Sequence, residues 1–343
     1  MHARCFPGLG RATLLLTGAM LAVAALQGTA SAQWKPSKPI NLIIPATSGS
    51  PPDQVTRLAI GELEEALGGK VAIVNQPGNN GVTGTRNVVN GPRDGYTWGA
   101  GSVTDLGMAK VSGLAETSLD DWNVFLLVAT APVVSAAAAT PYKDFGDLLQ
   151  TFKEKPNTVR VATAGGASIA QQTIDMIRKQ VPFQYKAVSL DDGKPSVFAT
   201  VGGEADVLAQ MAPDQVDMLR THRLRALAVV SDQPLTIEGY GDVPPVSQWV
   251  QGFTNPPNYL GLWVHKNAPA EEVEAINAIW KDKIANSEKL KKYAASRGAY
   301  FTPYVGDDAK SRVMVSVQHA AYLLHDAGKS KMDPAKAGIQ RVK

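Results

Sequence analysis

Between Lys38 and Gly69 the hydrophobic period of the chain changes once, and that change constrains the fold more than any other feature. Ile40, Leu42, Ile43 and Ile44 form a short apolar run that stops at Pro45, the pattern of a strand covered on both faces in a parallel sheet. From Asp53 onward, Val55, Leu58, Ala59, Leu63, Ala66 and Leu67 fall on one face of a 3.6-residue helix closed by Gly68 and Gly69. Asp53 is expected to cap this helix. The loop between them, Ala46 to Pro52, is small and polar. It lies at the carboxyl end of a strand and the amino end of a helix, where open α/β sheets bind ligands and where free N–H groups favour an anion. An ordinary connection of the same composition is the alternative for this stretch taken alone.

The same logic returns further on. Thr158 to Ala162 reads as a strand, Thr163 to Ser168 as a second small polar loop, and Ile169 to Lys179 as a helix. Between the two units, Trp122 to Ala139 is a long β-prone run broken by Pro132, longer than one ordinary strand and suited to a crossing between two lobes. Two anion-friendly loops, one in each half, are what a ligand clamped between lobes needs. Asn75 to Gly84 is a glycine-rich loop, but Gly78, Gly81 and Gly84 recur every third residue and match neither dinucleotide nor Walker spacing. Tyr96 to Gly101 reads as a strand whose glycines admit a close neighbour, followed by the polar Ser102 and Thr104. Glu271 to Ala295 reads as one long amphipathic helix, and Asp307 to Asp326 as the last helix.

The first 32 residues carry Arg4 and Arg11, an apolar run from Ala12 to Leu26, and Ala30-x-Ala32, the composition of a cleaved secretory signal. The run is short of the ~20 residues needed to span a bilayer. A retained anchor is the alternative. Cys5, the single cysteine, would leave with the signal, so the mature chain from Gln33 holds no disulfide and no cysteine-based metal site. It also loses two of the 34 basic residues, leaving them close to balance with the 31 acidic ones, which argues against nucleic acid or an anionic membrane as partner. At about 311 residues the mature chain has material for two cores.

The order of these pieces resembles the tripartite tricarboxylate transporter receptors, the TctC or Bug family of periplasmic solute-binding proteins. The matches are the opening strand with Pro45, Asp53 and Arg57; Leu67-Gly68; Asn75-Gln-Pro-Gly78 with Gly81 and Gly84; and Pro92-Arg-Asp-Gly-Tyr-Thr97. In the second half they are Ala162 to Ser168, Tyr185-Lys186, Gly202-Gly-Glu-Ala-Asp206, Leu224 to Val229 and Asp242-Val-Pro244. The resemblance covers nearly the whole mature chain. It implies an α/β, two-lobed type II periplasmic-binding-protein fold, each lobe a mixed sheet flanked by helices, with two crossover segments. Residues 34–131 plus 251–326 are expected to form the first lobe, 132–250 the second, and 329–343 a flexible tail.

The resemblance also implies closure on a small carboxylate, held by backbone N–H groups and ordered water more than by arginine. Carried onto this chain, the first-lobe site is Thr47, Ser48, Gly49, Ser50 and Asp53, with Asn79, Asn80 and Thr83 on the glycine-rich loop and Ser102 and Thr104 nearby. The second-lobe site is Thr163, Ala164, Gly165, Gly166, Ala167 and Ser168, with Asp206 at the end of its strand. The expected partners are a small organic acid and an inner-membrane permease, with the chain acting as a monomer and needing no cofactor or metal. Three departures from the family pattern bear on the ligand. Ser50, Pro51 and Pro52 stand where consecutive glycines are usual, Gln171 stands where histidine is common, and Ala187 and Val188 replace a glycine. The two prolines remove two N–H donors.

Asp53 and Asp206 each have a second reading, as helix cap and as lobe structure, and Arg57 reads as a structural ion pair. An enzyme is the rival class. Gly166 to Ala170 has serine where a nucleophile elbow needs it, but alanine where the elbow needs its last glycine. His319 and His325 stand six apart, not at the i, i+4 spacing of a zinc helix. A third class, a partner of a membrane sensor kinase, uses the same clamp and differs only in the surface that is read.

Overall fold

The computed structural model describes residues 1–3, 34–78, 81–163, 169–190 and 193–341. Contacts divide the chain into Met1–Trp34 and Lys35–Lys343, and the architecture below is that of the second unit. Apart from its first three residues, the expected signal lies outside the described residues.

The opening strand is β1 (Ile40–Ile44), and the chain alternates with helices through β2 (Val71–Asn75) and β3 (Thr97–Ser102). β1 pairs in parallel with β2 on one side and β3 on the other, so the winding reverses between β1 and β3. Ile40, Leu42 and Ile44 are wholly buried and Ile43 nearly so, as a strand covered on both faces must be. The β-prone run that follows is two strands, β4 (Trp122–Thr130) and β5 (Pro132–Ala137). They belong to different sheets, and Pro132, which has no N–H to give a ladder, opens the second of them.

The second half repeats the plan. β6 (Arg160–Thr163), β7 (Lys186–Ser189) and β8 (Val207–Met211) alternate with helices Ile169–Gln180 and Gly193–Val201, and β6 pairs in parallel with β7 and β8. β9 (Leu224–Val229) follows, then a hairpin of β10 (Leu235–Ile237) and β11 (Gly241–Val243). The chain returns as β12 (Asn258–His265) and adds a short β13 (Tyr300–Phe301). The first sheet runs β13-β4-β12-β3-β1-β2 and the second β7-β6-β8-β5-β9. In each, three parallel strands meet one of opposite direction, β12 or β5. This is the two-lobed mixed α/β architecture expected above, with Ala131 and the segment before Asn258 as the crossings.

Each core is built from the inward faces of its own sheet. Trp98, Trp122, Trp263 and Trp280 are almost wholly buried around the first sheet. Three of their indole N–H groups have acceptors: Trp98 on Gly95 O at 2.8 Å, Trp122 on Thr117 Oγ1 at 2.8 Å, and Trp280 on Leu126 O at 2.8 Å. In the second lobe Phe152 stacks on Phe183 with ring centroids 4.3 Å apart, and Val246, Val250 and Phe253 of the returning segment close that core.

Three expectations are corrected. The first helix runs Pro51–Leu67 with its N-cap at Ser50, three residues ahead of the cap expected at Asp53, because prolines are tolerated in the first turn, where their missing N–H groups have no intrahelical partner. The long helix from Glu271 is two helices, Ala270–Asp282 and Glu288–Arg297. Ser287 restarts it, accepting from Leu290 N at 3.1 Å and donating to Glu62 Oε1 at 2.6 Å, which ties the new helix to Pro51–Leu67. Finally, Lys329 to Arg341 is not a loose tail. Ile339 is buried in the first core, Tyr322 Oη donates to Ile339 O at 3.1 Å, and Arg341 pairs with Asp326 at 2.6 Å while covering the Tyr322 ring.

Candidate functional site

A sheet whose winding reverses opens a crevice at the carboxyl ends of its strands. Here one such crevice lies beyond β1 and β3, the other beyond β6 and β8, and the loops expected to bind follow β1 and β6. In the first crevice a cavity of about 250 Å³ is walled by Pro45, Ala46, Pro52, Gly81, Thr85 and Ser102, with Trp263 and Asn258 from β12. Beside it a larger one, about 420 Å³, lies between the lobes. Thr104, Asp105 and Met108 line it from the first lobe, Gln172, Thr173 and Met176 from the second, and Asn255 to Asn258 from the returning crossing. Asp105 and Asn258 line both cavities.

The loop after β1 is held from below by one buried acid. Asp53 Oδ2 accepts from Gly49 N at 2.8 Å, and Oδ1 accepts from Arg57 Nε and Asn75 Nδ2, both at 2.9 Å. Asn75 also donates to Ala46 O at 3.1 Å. Burial alone would raise the Asp53 pKa, but the hydrogen bonds from Arg57, Gly49 and Asn75 outweigh it and hold the carboxyl below its usual range. Asp53 thus serves the loop's structure and does not cap the helix, and Arg57 is its ion-pair partner. The Gly49 amide is consumed by Asp53, and the Ser50 amide donates to Thr47 O at 3.2 Å. Pro51 and Pro52 carry no N–H. Of residues 47–52, Thr47 and Ser48 therefore keep amides without a partner among the described residues.

The structure gathers some of the expected residues and scatters others. Ser102 lines the smaller cavity and Thr104 the larger. Ser102 Oγ donates to Asn258 Oδ1 at 2.9 Å and accepts from Asp105 N at 3.0 Å, while Thr104 Oγ1 accepts from Tyr259 N at 3.2 Å, so both hydroxyls pin the corner after β3 to β12. Thr47, Ser48 and Gly49 are exposed at the rim, with Ser50 half-buried beneath them. Thr83 is exposed, and it is Thr85, two residues later, that faces the cavity. Thr163 is buried at the end of β6. Asn79, Asn80, Ala164, Gly165, Gly166, Ala167 and Ser168 lie outside the described residues.

Asp206 is placed differently from the expectation. It precedes β8 and sits beside Arg160, the first residue of β6, at the opposite end of the sheet from Thr163. Arg160 grips it through Nη2 at 2.6 Å and Nε at 3.2 Å, and the Arg160 amide adds a bond at 2.8 Å. Its role is to lock β6 to β8.

Five residues of the cleft are not among those expected from the sequence: Thr85, Asp105, Gln172, Asn258 and Trp263. Asn258 carries a signal, because the strand that returns between lobes must pass the cleft and Pro256-Pro257 marks where it starts. Asp105 is legible as the third residue after Ser102, in the polar segment that ends β3. Among the described residues that line the two cavities there is no lysine or arginine. His319 lines the larger cavity with Nε2 3.3 Å from Met176 Sδ, and burial lowers its pKa, which favours the neutral ring. The other described polar groups of the lining are hydroxyls, carboxamides and the Asp105 carboxylate, with no formal positive charge among them.

Residues 55–308 match the family model described as the tripartite tricarboxylate transporter family receptor. A UPF0065 protein of Bordetella bronchiseptica is 27% identical over 80% of this chain and 82% of its own length. The protein BugT of Bordetella pertussis is 25% identical over 65% of this chain and 70% of its own. Among solved structures, a TctC solute-binding protein from Polaromonas superposes with a TM-score of 0.71 at 21% identity, over 85% of this chain and 99% of that one. An R. palustris protein solved with adipate gives 0.69 at 19% identity, over 85% and 98%. MatC of Rhodopseudomonas palustris, with bound malate, gives 0.65 at 20% identity, over 84% and 99%. At these identities the structural likeness is one of fold.

Proposed function

This chain belongs to the tripartite tricarboxylate transporter receptor family, and on that premise we propose that it is secreted by removal of its first 32 residues, binds a small organic carboxylate between its lobes in the periplasm, and hands it as a monomer to an inner-membrane permease. The observation that carries this reading is the pair of crevices, one per sheet, that face a shared space lined by Asp105 and Asn258. Closure of one lobe on the other would bury the ligand and form the surface a membrane partner reads. The adipate and malate seen in two neighbours support a short aliphatic skeleton. Thr47 and Ser48 amides would meet the ligand from the first lobe, with Ser102 holding Asn258 in place beside it, and the loop from Thr163 to Ser168 would meet it from the second.

The test is a thermal-shift screen of the mature chain, unfolded and refolded to strip carried ligand, against dicarboxylates, tricarboxylates, aromatic acids and amino acids. A ligand at 100 times its Kd stabilises by about 2.7 kcal/mol. At least one acid should produce such a shift and be recovered unchanged. No shift from any acid, with protein shown to be folded, overturns the proposal.

A further inference from the structure

Methionine is sparse in this chain and unevenly placed. From Gln33 onward there are six, and three of them, Met108, Met176 and Met211, line the larger cavity. His319 lines it too, with Nε2 3.3 Å from the Met176 sulfur. A thioether is only a weak acceptor, and it is the one partner that His319 Nε2 has among the described residues. The four side chains come from both lobes. Met176 stands on the helix Ile169–Gln180 and Met211 at the end of β8, while His319 stands on the last helix, Gly306–Asp326, and Met108 at the corner after β3. Lys179 and Asp326, 3.3 Å apart, join the same two helices, so the contact between Met176 and His319 lies in a defined seam.

Methionine also serves as adaptable packing in clefts, and distance and donor chemistry separate that use from ligation. Metal–nitrogen and metal–sulfur bonds of about 2.0 and 2.3 Å, meeting near the tetrahedral angle, hold their donors about 3.5 Å apart. The observed separation is close to that. Thioether sulfur and neutral imidazole are soft, uncharged donors of the kind Cu(I) selects, whereas Ca(II) and Mg(II) take oxygen. Among the described residues no three His, Cys, Asp or Glu side chains gather as a metal site, so a dication lacks the ligand set it needs. Asp105 is the only acid among the described residues of this cavity, and no lysine or arginine lines it, a balance that suits a single positive charge. From Gln33 onward the chain holds no cysteine, which leaves these thioethers as its softest donors. We propose that Met176 and His319, with Met108 and Met211, form a site for one Cu(I) ion, two donors from each lobe. An ion bound there would tie the lobes across the seam.

The test is anaerobic competition between the mature chain and the chelator bicinchoninate for Cu(I) kept reduced by ascorbate. The chain should take up one Cu(I) and bind Zn(II) at least a hundredfold more weakly. Met176→Leu and His319→Gln should each weaken Cu(I) binding at least tenfold, as should Met108→Leu and Met211→Leu combined, while Met218→Leu and Met314→Leu leave it unchanged. Melting temperatures without copper should stay within a few degrees of wild type, and X-ray absorption of the loaded chain should show sulfur bound to the metal. Copper left wholly with the chelator, a shell of nitrogen and oxygen alone, or an affinity untouched by Met176→Leu and His319→Gln overturns the inference. If one of those two variants fails to fold, the other and the Met108–Met211 double variant decide. None of these outcomes depends on an acid being bound, so the copper site and the carboxylate-receptor reading fail separately.

Discussion

The indole of Trp263 lies flat on the backbone of Gly99, its partner across the β12–β3 ladder, so that a Cβ added at Gly99 would collide with Nε1 and Cε2 and stand 2.7 Å from Cζ2. The far edge of the ring reaches Gly101, where an added Cβ would be 3.5 Å from Cη2. The two glycines leave a flat bed on which the indole forms the floor of the smaller cavity. Among the described residues Trp263 Nε1 has no acceptor, a defect that costs on the order of 1–3 kcal/mol and that the packed ring offsets.

Gly99→Ala should therefore push the indole towards the cavity. The expected cost is about 1–3 kcal/mol, typical of overpacking, read by urea denaturation, together with weaker binding of whatever acid the thermal-shift screen finds. A variant as stable as wild type with unchanged affinity would show that the ring is not the floor of the ligand site.

Asp53 predicts an acid limb. Its native pKa lies below the ordinary value of 3.8, so its stabilising contribution is present above about pH 4 and is lost as pH falls through the depressed native value. Asp53→Asn should lower stability at pH 7 by about 1–3 kcal/mol, since Arg57, Asn75 and the Gly49 amide lose a charged acceptor, and should flatten the profile below pH 4. Denaturation curves at pH 3, 4 and 7 read both effects.

Glu272 predicts the opposite slope. It is wholly buried, accepts from Trp98 Nε1 at 2.9 Å through Oε1, and has no partner at Oε2 among the described residues. Burial pushes its pKa up from 4.5 to about 7 despite the Trp98 bond. A raised native pKa stabilises the fold most below the unfolded value and less as pH rises towards the native one. Wild type should thus lose about 3 kcal/mol between pH 4.5 and 7 from this group, and Glu272→Gln should abolish that slope. A variant that keeps the slope would place its origin elsewhere.

The C-terminal segment predicts a truncation effect. Ending the chain after Gly328 removes buried Ile339 and the Arg341 pair on Asp326. Burial of an isoleucine is worth about 1.5–3 kcal/mol, so the shortened protein should melt at a lower temperature by a margin visible in calorimetry. An unchanged melting temperature would return this segment to the status of a loose tail.

Much of the layout of this molecule is legible in its residues. The change of period at Pro45 and its echo after Thr163 locate both crevices, and the proline at 132 locates the first crossing. These signals are local: burial on both faces, helix spacing and a missing N–H each act over a few residues, so a single sequence carries them. The restart at Ser287 and the folded segment up to Arg341 are not legible in the same way, because their partners, Glu62 and Tyr322, are set by packing.

The cleft's chemistry belongs to tertiary structure for the same reason. Ser102 meets Asn258 across 156 positions of sequence, and Gly99 meets Trp263 because β12 runs antiparallel to β3 in one register; a slip of one residue would turn the indole to the other face. Strand direction also decided that Asp206 stands at the far end of its sheet from Thr163, bound to Arg160. By itself the sequence determined where a crevice opens at the end of each sheet, through short-range preferences of strand, loop and helix. Which side chains would face it was decided by pairing between distant strands, whose energy appears only when both are in place.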